Sequence, residues 1–148
     1  MSSDAPQGIH LRSNLDQIGL ARDFVAAIAR AVPMSSREVY DLELVVDEAL
    51  TNVIEHAYEG RPDRPVELSV TLEADALAIS IVHDGLAFDP AGRPELDLKT
   101  HLAERRVGGL GLYLIDKLMD EVDYGFDAAG RPCISLVKRR TPPVQGGT

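Results

Sequence analysis

The chain has a single cysteine, Cys133, in 148 residues. A lone thiol excludes an internal disulfide and a cysteine-based zinc site, and its place in an apolar strand-like run predicts an inert buried thiol. Basic residues are the second shortage: 15 Lys and Arg against 24 Asp and Glu leave a net charge of −9. That balance argues against direct binding to nucleic acid or an anionic membrane and suits a basic protein partner. No apolar run reaches transmembrane length, and the first residues lack a charged-then-apolar leader pattern, so a cytoplasmic protein that does not enter the membrane is expected. His, Cys and carboxylates nowhere cluster at protein-only metal spacing. There is no internal repeat, and the length suits one domain with one core.

The stretch that organises what is present is 42–58, LELVVDEALTNVIEHAY. Ser35 with Glu38 three residues on is a capping-box signature. Val39, Leu42, Val45, Val46, Ala49, Leu50, Val53 and Ala57 then recur at helical spacing on one face. Asp41, Glu48, Asn52 and Glu55 fall off that face. Residues four apart on a helix stand side by side, so Glu48 and Asn52 project a carboxylate and a carboxamide together. Taken alone, such a strip reads equally as the solvated side of an amphipathic helix.

Before it, residues 9–15 alternate as a short edge strand, and Asn14 or Asp16 opens a helix whose apolar face is Ile18, Ala21, Val25, Ile28, Ala29 and Val32. After it, a turn at 60–64 leads to two strands at 66–73 and 76–82, joined by Ala74 and Asp75. Residues 86–107 make a long segment broken by Pro90, Gly92 and Pro94, which predicts a lid or binding loop with a short helix inside it. Strands at 122–126 and 133–137 complete a sheet. The expected organisation is a flexible start at 1–8, one domain over 9–139 and a disordered tail at 140–148.

The long segment closes on Arg105, Arg106, Val107, Gly108, Gly109, Leu110, Gly111 and Leu112, followed by a helical apolar pattern. A glycine-rich turn feeding a helix offers free backbone N–H groups and the positive end of the helix dipole to an anion. The spacing is neither a Walker A loop nor GxGxxG. By itself GGLG reads equally as a flexible connector; two adjacent arginines favour a phosphate cradle. The Asn52 carbonyl oxygen would then hold Mg²⁺ against a triphosphate lying on the turn, with Glu48 placed to take a proton from an attacking hydroxyl.

EALTNVIEHAY, HDGLAFDP and GGLGLYLIDKLMDEV, in that order, resemble the three ATP-binding boxes of the GHKL (histidine-kinase-like) ATPases, and the last is most similar to the anti-sigma factor serine kinases of bacterial partner-switching modules. The resemblance spans residues 9–139. It implies an α+β fold, a two-layer helix–sheet sandwich with a mixed, mostly antiparallel sheet covered on one face by helices. It implies ATP and Mg²⁺ as cofactors, with Asn52 holding the metal, Glu48 as catalytic base and the 86–107 segment as ATP lid. His56, typical of the family, would orient Glu48 or sit near the phosphates, or else be an ordinary core or edge histidine. Phe88 would pack beneath the lid. The implied activity is phosphorylation of a serine on a STAS-domain antagonist by a protein that sequesters a sigma factor. An implied homodimer would use the 9–15 edge. The alternative is an anti-sigma binding module without kinase turnover.

Two departures bear on that pattern. Where the family reads the adenine amine with an aspartate two residues before Gly85, this chain has His83, followed by Asp84. A neutral imidazole nitrogen can accept from the amine whereas a protonated one cannot; a one-residue shift would give Asp84 the role instead. The family's last Gly-Thr box reads Gly130-Arg131.

Overall fold

The computed structural model describes residues 6–32, 34–87 and 107–140. Alternating side chains build its sheet. In β2 (Pro65–Leu72) Val66, Leu68 and Val70 are buried, and in β3 (Ala76–His83) so are Leu77, Ile79 and Ile81, while the residues between them face away. Register pairs Leu68 with Ile81 and Val70 with Ile79, so the two strands present one apolar surface. Gln7–Arg12 forms β1 at one edge beside β2, two residues earlier than the alternation at 9–15 suggests. Glu121–Phe126 and Pro132–Arg139 form β4 and β5, giving the order β1-β2-β3-β5-β4. Every pairing is antiparallel, so the sheet has no parallel member among the described residues.

Helices cover one face. A 3₁₀ turn at Leu15–Gln17 leads into α1 (Ile18–Arg30), and α2 covers Ser36–Asn52. The capping box at the start of α2 is formed on both sides: Ser35 Oγ accepts from the Glu38 N–H, and the Ser35 N–H donates to the Glu38 carboxylate. Leu42, Val45, Val46 and Ala49 are buried against the sheet and α1, as the helical spacing predicts. The third helix, α3 (Val107–Leu118), buries Ile115 beside the same core.

Three expectations change. Asp41 does not lie on a solvated strip but is 6% exposed. Contacts on both flanks bury more of α2 than a single apolar stripe suggests, and Lys138 and Arg37 lie at 3.3 Å and 3.2 Å from the Asp41 carboxylate. Lys138 also donates to the Leu118 carbonyl at 2.7 Å, joining β5, α2 and α3. Cys133 is half-buried rather than enclosed, on the sheet face away from the helices, with Ser80 Oγ 3.3 Å from its sulfur. Residues 107–111 are helical rather than a turn. Glycine costs up to about 1 kcal/mol in a helix interior, a cost offset here by a helix whose Ile115, with Met119 just past its end, is packed in the core. The expected short helix in 86–107, the segment from 88 to 106 and residues 141–148 of the tail lie outside the described residues; Arg140, the first residue of the expected tail, is held by its N–H on the Asp75 carbonyl at 2.9 Å.

Candidate functional site

After Asn52 the helix does not stop. Residues Val53–Ala57 continue as a π turn, with Tyr58 N–H donating to the Val53 carbonyl five residues back at 2.9 Å. At this helix end the Ala57 carbonyl has no intrahelical donor and accepts the Leu86 N–H, also at 2.9 Å, so the exit of β3 is stitched to the helix end. Gly85 makes that approach possible: an added Cβ would stand 2.5 Å from the Ala57 carbonyl oxygen. Tyr58 completes the joint, its hydroxyl donating to the Pro65 carbonyl and accepting from the Asp84 N–H at 2.7 Å.

Between the π turn, β3 and α3 lies a cavity of about 220 Å³. Ala49, Val53, Ile115 and Ile134 supply apolar walls, and Tyr124 of β4 adds its side chain. The polar lining comes from Asn52, His56 and His83. Asn52 Nδ2 is buried with no hydrogen-bond partner among the described residues. The two ends of a carboxamide exchange by rotation, so an orphaned amide beside the cavity is a group waiting for a ligand or for a metal-bound water. His56 is exposed at the rim and makes no hydrogen bond to Glu48.

His83 is the last residue of β3 and only 4% exposed, not a loop histidine. Leu77, Ile79 and Ile81 alternate on the core face, and extending that count by two places His83 there too, a signal present in the sequence. Its Nδ1 accepts the Gly85 N–H at 3.1 Å, and its ring meets Tyr58 edge-on at 5.8 Å. Burial pushes its proton affinity below that of an ordinary imidazole, with Asp84 pulling the other way. Asp84 itself is exposed, its backbone rather than its carboxylate engaged.

Glu48 stands one turn before Asn52, half-buried. Desolvation first, then Asp47 and Glu55, raise its carboxyl above the usual range. Asp47 is itself held by Arg22 at 3.0 Å, whereas Glu48 forms no ion pair among the described residues. Helix α3 packs directly against α2 and sends Ile115 into the cavity wall, so the glycine-bearing start of α3 and the Glu48–Asn52 strip belong to neighbouring helices. The side chains of residues 107–112, Leu110 and Leu112 among them, and the whole of Phe88, Arg105 and Arg106 lie outside the described residues. Arg131, in place of the family's threonine, has a structural use: its guanidinium reaches Glu67 at 2.8 Å and Asp127 at 2.9 Å, clamping the β4–β5 turn onto β2.

Residues 11–138 match the model of the histidine kinase-like ATPase domain. The chain belongs to this family. Within it, its relatives include serine-protein kinases RsbW: that of Listeria monocytogenes serovar 1/2a is 30% identical over 123 residues, covering 80% of this chain and 78% of its own. RsbW of Bacillus subtilis is 31% identical over 112 residues, covering 72% and 69%. Among solved structures, the RsbU and RsbW domains of a Mycobacterium tuberculosis protein share the fold, with a TM-score of 0.65 at 16% identity over 95% of this chain and 34% of that one. The SiaB-SiaC complex of Pseudomonas aeruginosa contains a chain with a TM-score of 0.56 at 16% identity, covering 88% and 89%. The RsbW-like domain thus carries its cavity where α2, β3 and α3 meet, and no described helix is long and apolar enough to cross a membrane.

Proposed function

We propose that this chain is an anti-sigma factor that binds ATP with Mg²⁺ in the α2–β3–α3 cavity and phosphorylates a serine on a STAS-domain antagonist. The observation that carries the reading is the pairing of Asn52, whose buried amide lacks a partner at the cavity, with Glu48, a half-buried carboxylate of raised proton affinity one turn away. Asn52 would hold the metal through its carbonyl oxygen, and the start of α3 would face the phosphates. Bound Mg²⁺ neutralises phosphate charge and supports in-line transfer. Glu48 accepts the proton of the attacking serine hydroxyl, a task helped by an elevated pKa. Ile115 and Ile134 exclude water from the base side of the cavity. The protein acts in the cytoplasm, and the outer edge of β1 provides a surface for a homodimer.

Mixing the protein with labelled ATP, Mg²⁺ and a STAS-domain partner should transfer label to a serine. Glu48→Ala should lower transfer by about 10²–10⁴-fold, the usual contribution of a general base, with ATP affinity unchanged in calorimetry. Full transfer by that variant would remove Glu48 from the mechanism.

A second reading, a nucleotide-responsive anti-sigma module without turnover, is favoured by His83, which stands where a carboxylate would read adenine. Nucleotide binding with no transfer to any STAS-domain partner would select it.

A further inference from the structure

His83 offers a ligand one polar atom, and the structure fixes which kind. Its Nδ1 accepts the Gly85 N–H at 3.1 Å, so Nδ1 carries no proton and the neutral ring keeps its proton on Nε2. The ring lines the cavity, and Nε2 has no partner among the described residues. Turning the ring over would leave the Gly85 N–H without its acceptor.

Nor is the ring free to move away. Its strand is paired with β2 at Val66, Tyr58 lies against it edge-on, and Gly85 has no room to approach Ala57 further. Burial keeps the imidazole neutral, which leaves the tautomer unaltered. The residue that lines the cavity at this position therefore carries an N–H on its free ring nitrogen, where a carboxylate would carry only lone pairs.

Resting on the nucleotide-site reading above, we propose that His83 makes this cavity read an acceptor on the purine edge, so that a 6-oxopurine nucleoside triphosphate is bound in preference to ATP. Guanine and hypoxanthine carry an acceptor oxygen at position 6, where adenine carries an amine that donates. An N–H facing that amine sets two donors against each other, while the same N–H facing a 6-oxo group forms a hydrogen bond. One such mismatch inside a largely apolar pocket is enough to change affinity by about tenfold or more. His83 thus acts as a specificity-determining residue for the base, with no part in the transfer step.

The test is calorimetry of the full chain with ATP, GTP and ITP, each with Mg²⁺. ITP separates the 6-oxo group from the 2-amino group of guanine. GTP and ITP should bind about tenfold or more tightly than ATP, and His83→Asp, which restores an acceptor, should invert the order. Should that variant fail to fold, as judged by circular dichroism, His83→Asn should bring the three affinities together, because an amide can turn either end to the base. Nitrogen-15 resonances of the free protein should show an unprotonated Nδ1 and a protonated Nε2 at neutral pH. ATP binding most tightly in the wild type, an order unmoved by the substitution, or a protonated Nδ1 overturns this inference and leaves the nucleotide site standing. Failure of all three triphosphates to bind overturns the nucleotide reading and the base preference together.

Discussion

The two halves of the helical run 36–57, α2 and the π turn that continues it, treat their polar side chains differently. In the first half each charged group is held. Ser35 and Glu38 cap each other, Asp41 lies between Arg37 and Lys138, Glu43 meets Arg30 at 3.6 Å, and Asp47 meets Arg22. From Glu48 onward the pairing ends among the described residues: Glu48 has no ion pair, Asn52 keeps a buried amide unbonded, and His56 sits open at the cavity rim. One helix thus carries polar groups that hold the fold and polar groups kept free. A buried polar atom without a partner costs stability, and the Asn52 amide carries that cost beside the cavity.

The largest test of this contrast is Asp41→Ala. It leaves the Lys138 ammonium, 14% exposed, without its carboxylate, and loss of one partner of such a buried pair should cost about 3 kcal/mol in denaturant unfolding. A loss below about 1 kcal/mol would show that the first half does not depend on its ion pairs. Ser35→Ala removes the oxygen that accepts the Glu38 N–H and should cost about 1 kcal/mol by the same measurement. On the unpaired side the sign reverses. Glu48 has a raised folded-state pKa, so the folded protein binds its proton more tightly than the unfolded chain, and stability falls as pH rises through the carboxyl range. Glu48→Gln should therefore melt slightly higher than wild type at pH 7 and nearly equally at about pH 3, well below the ordinary carboxyl pKa, where both states are protonated. Equal melting at both pH values would mean that Glu48 is not strained in the fold.

Much of the scaffold could be read in advance because it rests on period and punctuation. The capping box, the α2 core face and the two alternating strands were all written in local spacing, and each is found where that spacing puts it. What local spacing does not contain is a neighbour. Asp41 is buried because Lys138, 97 residues later, falls on the helix-facing side of β5. The π turn depends on a hydrogen bond one residue longer than helical periodicity counts, and the need for glycine at 85 comes from the Ala57 carbonyl against it. His83 could have been placed by counting on from Ile81, yet the state of its two nitrogens depends on a backbone N–H two residues away. Glu48 and Asn52 were legible as a pair; the cavity beside Asn52 follows from Ile115, Tyr124 and Ile134 arriving from three separate elements.

A helix that widens for a single turn behaves as though one residue had been slipped into it, and everything downstream is rotated by that residue. Removing any one position from Val53–Ala57 would let the coil tighten, swing the Ala57 oxygen off its present bearing and cast loose the Leu86 N–H it now receives. The wall of the cavity where α2 meets β3 is thereby tied to the backbone length of five residues rather than to the chemistry of any side chain in them.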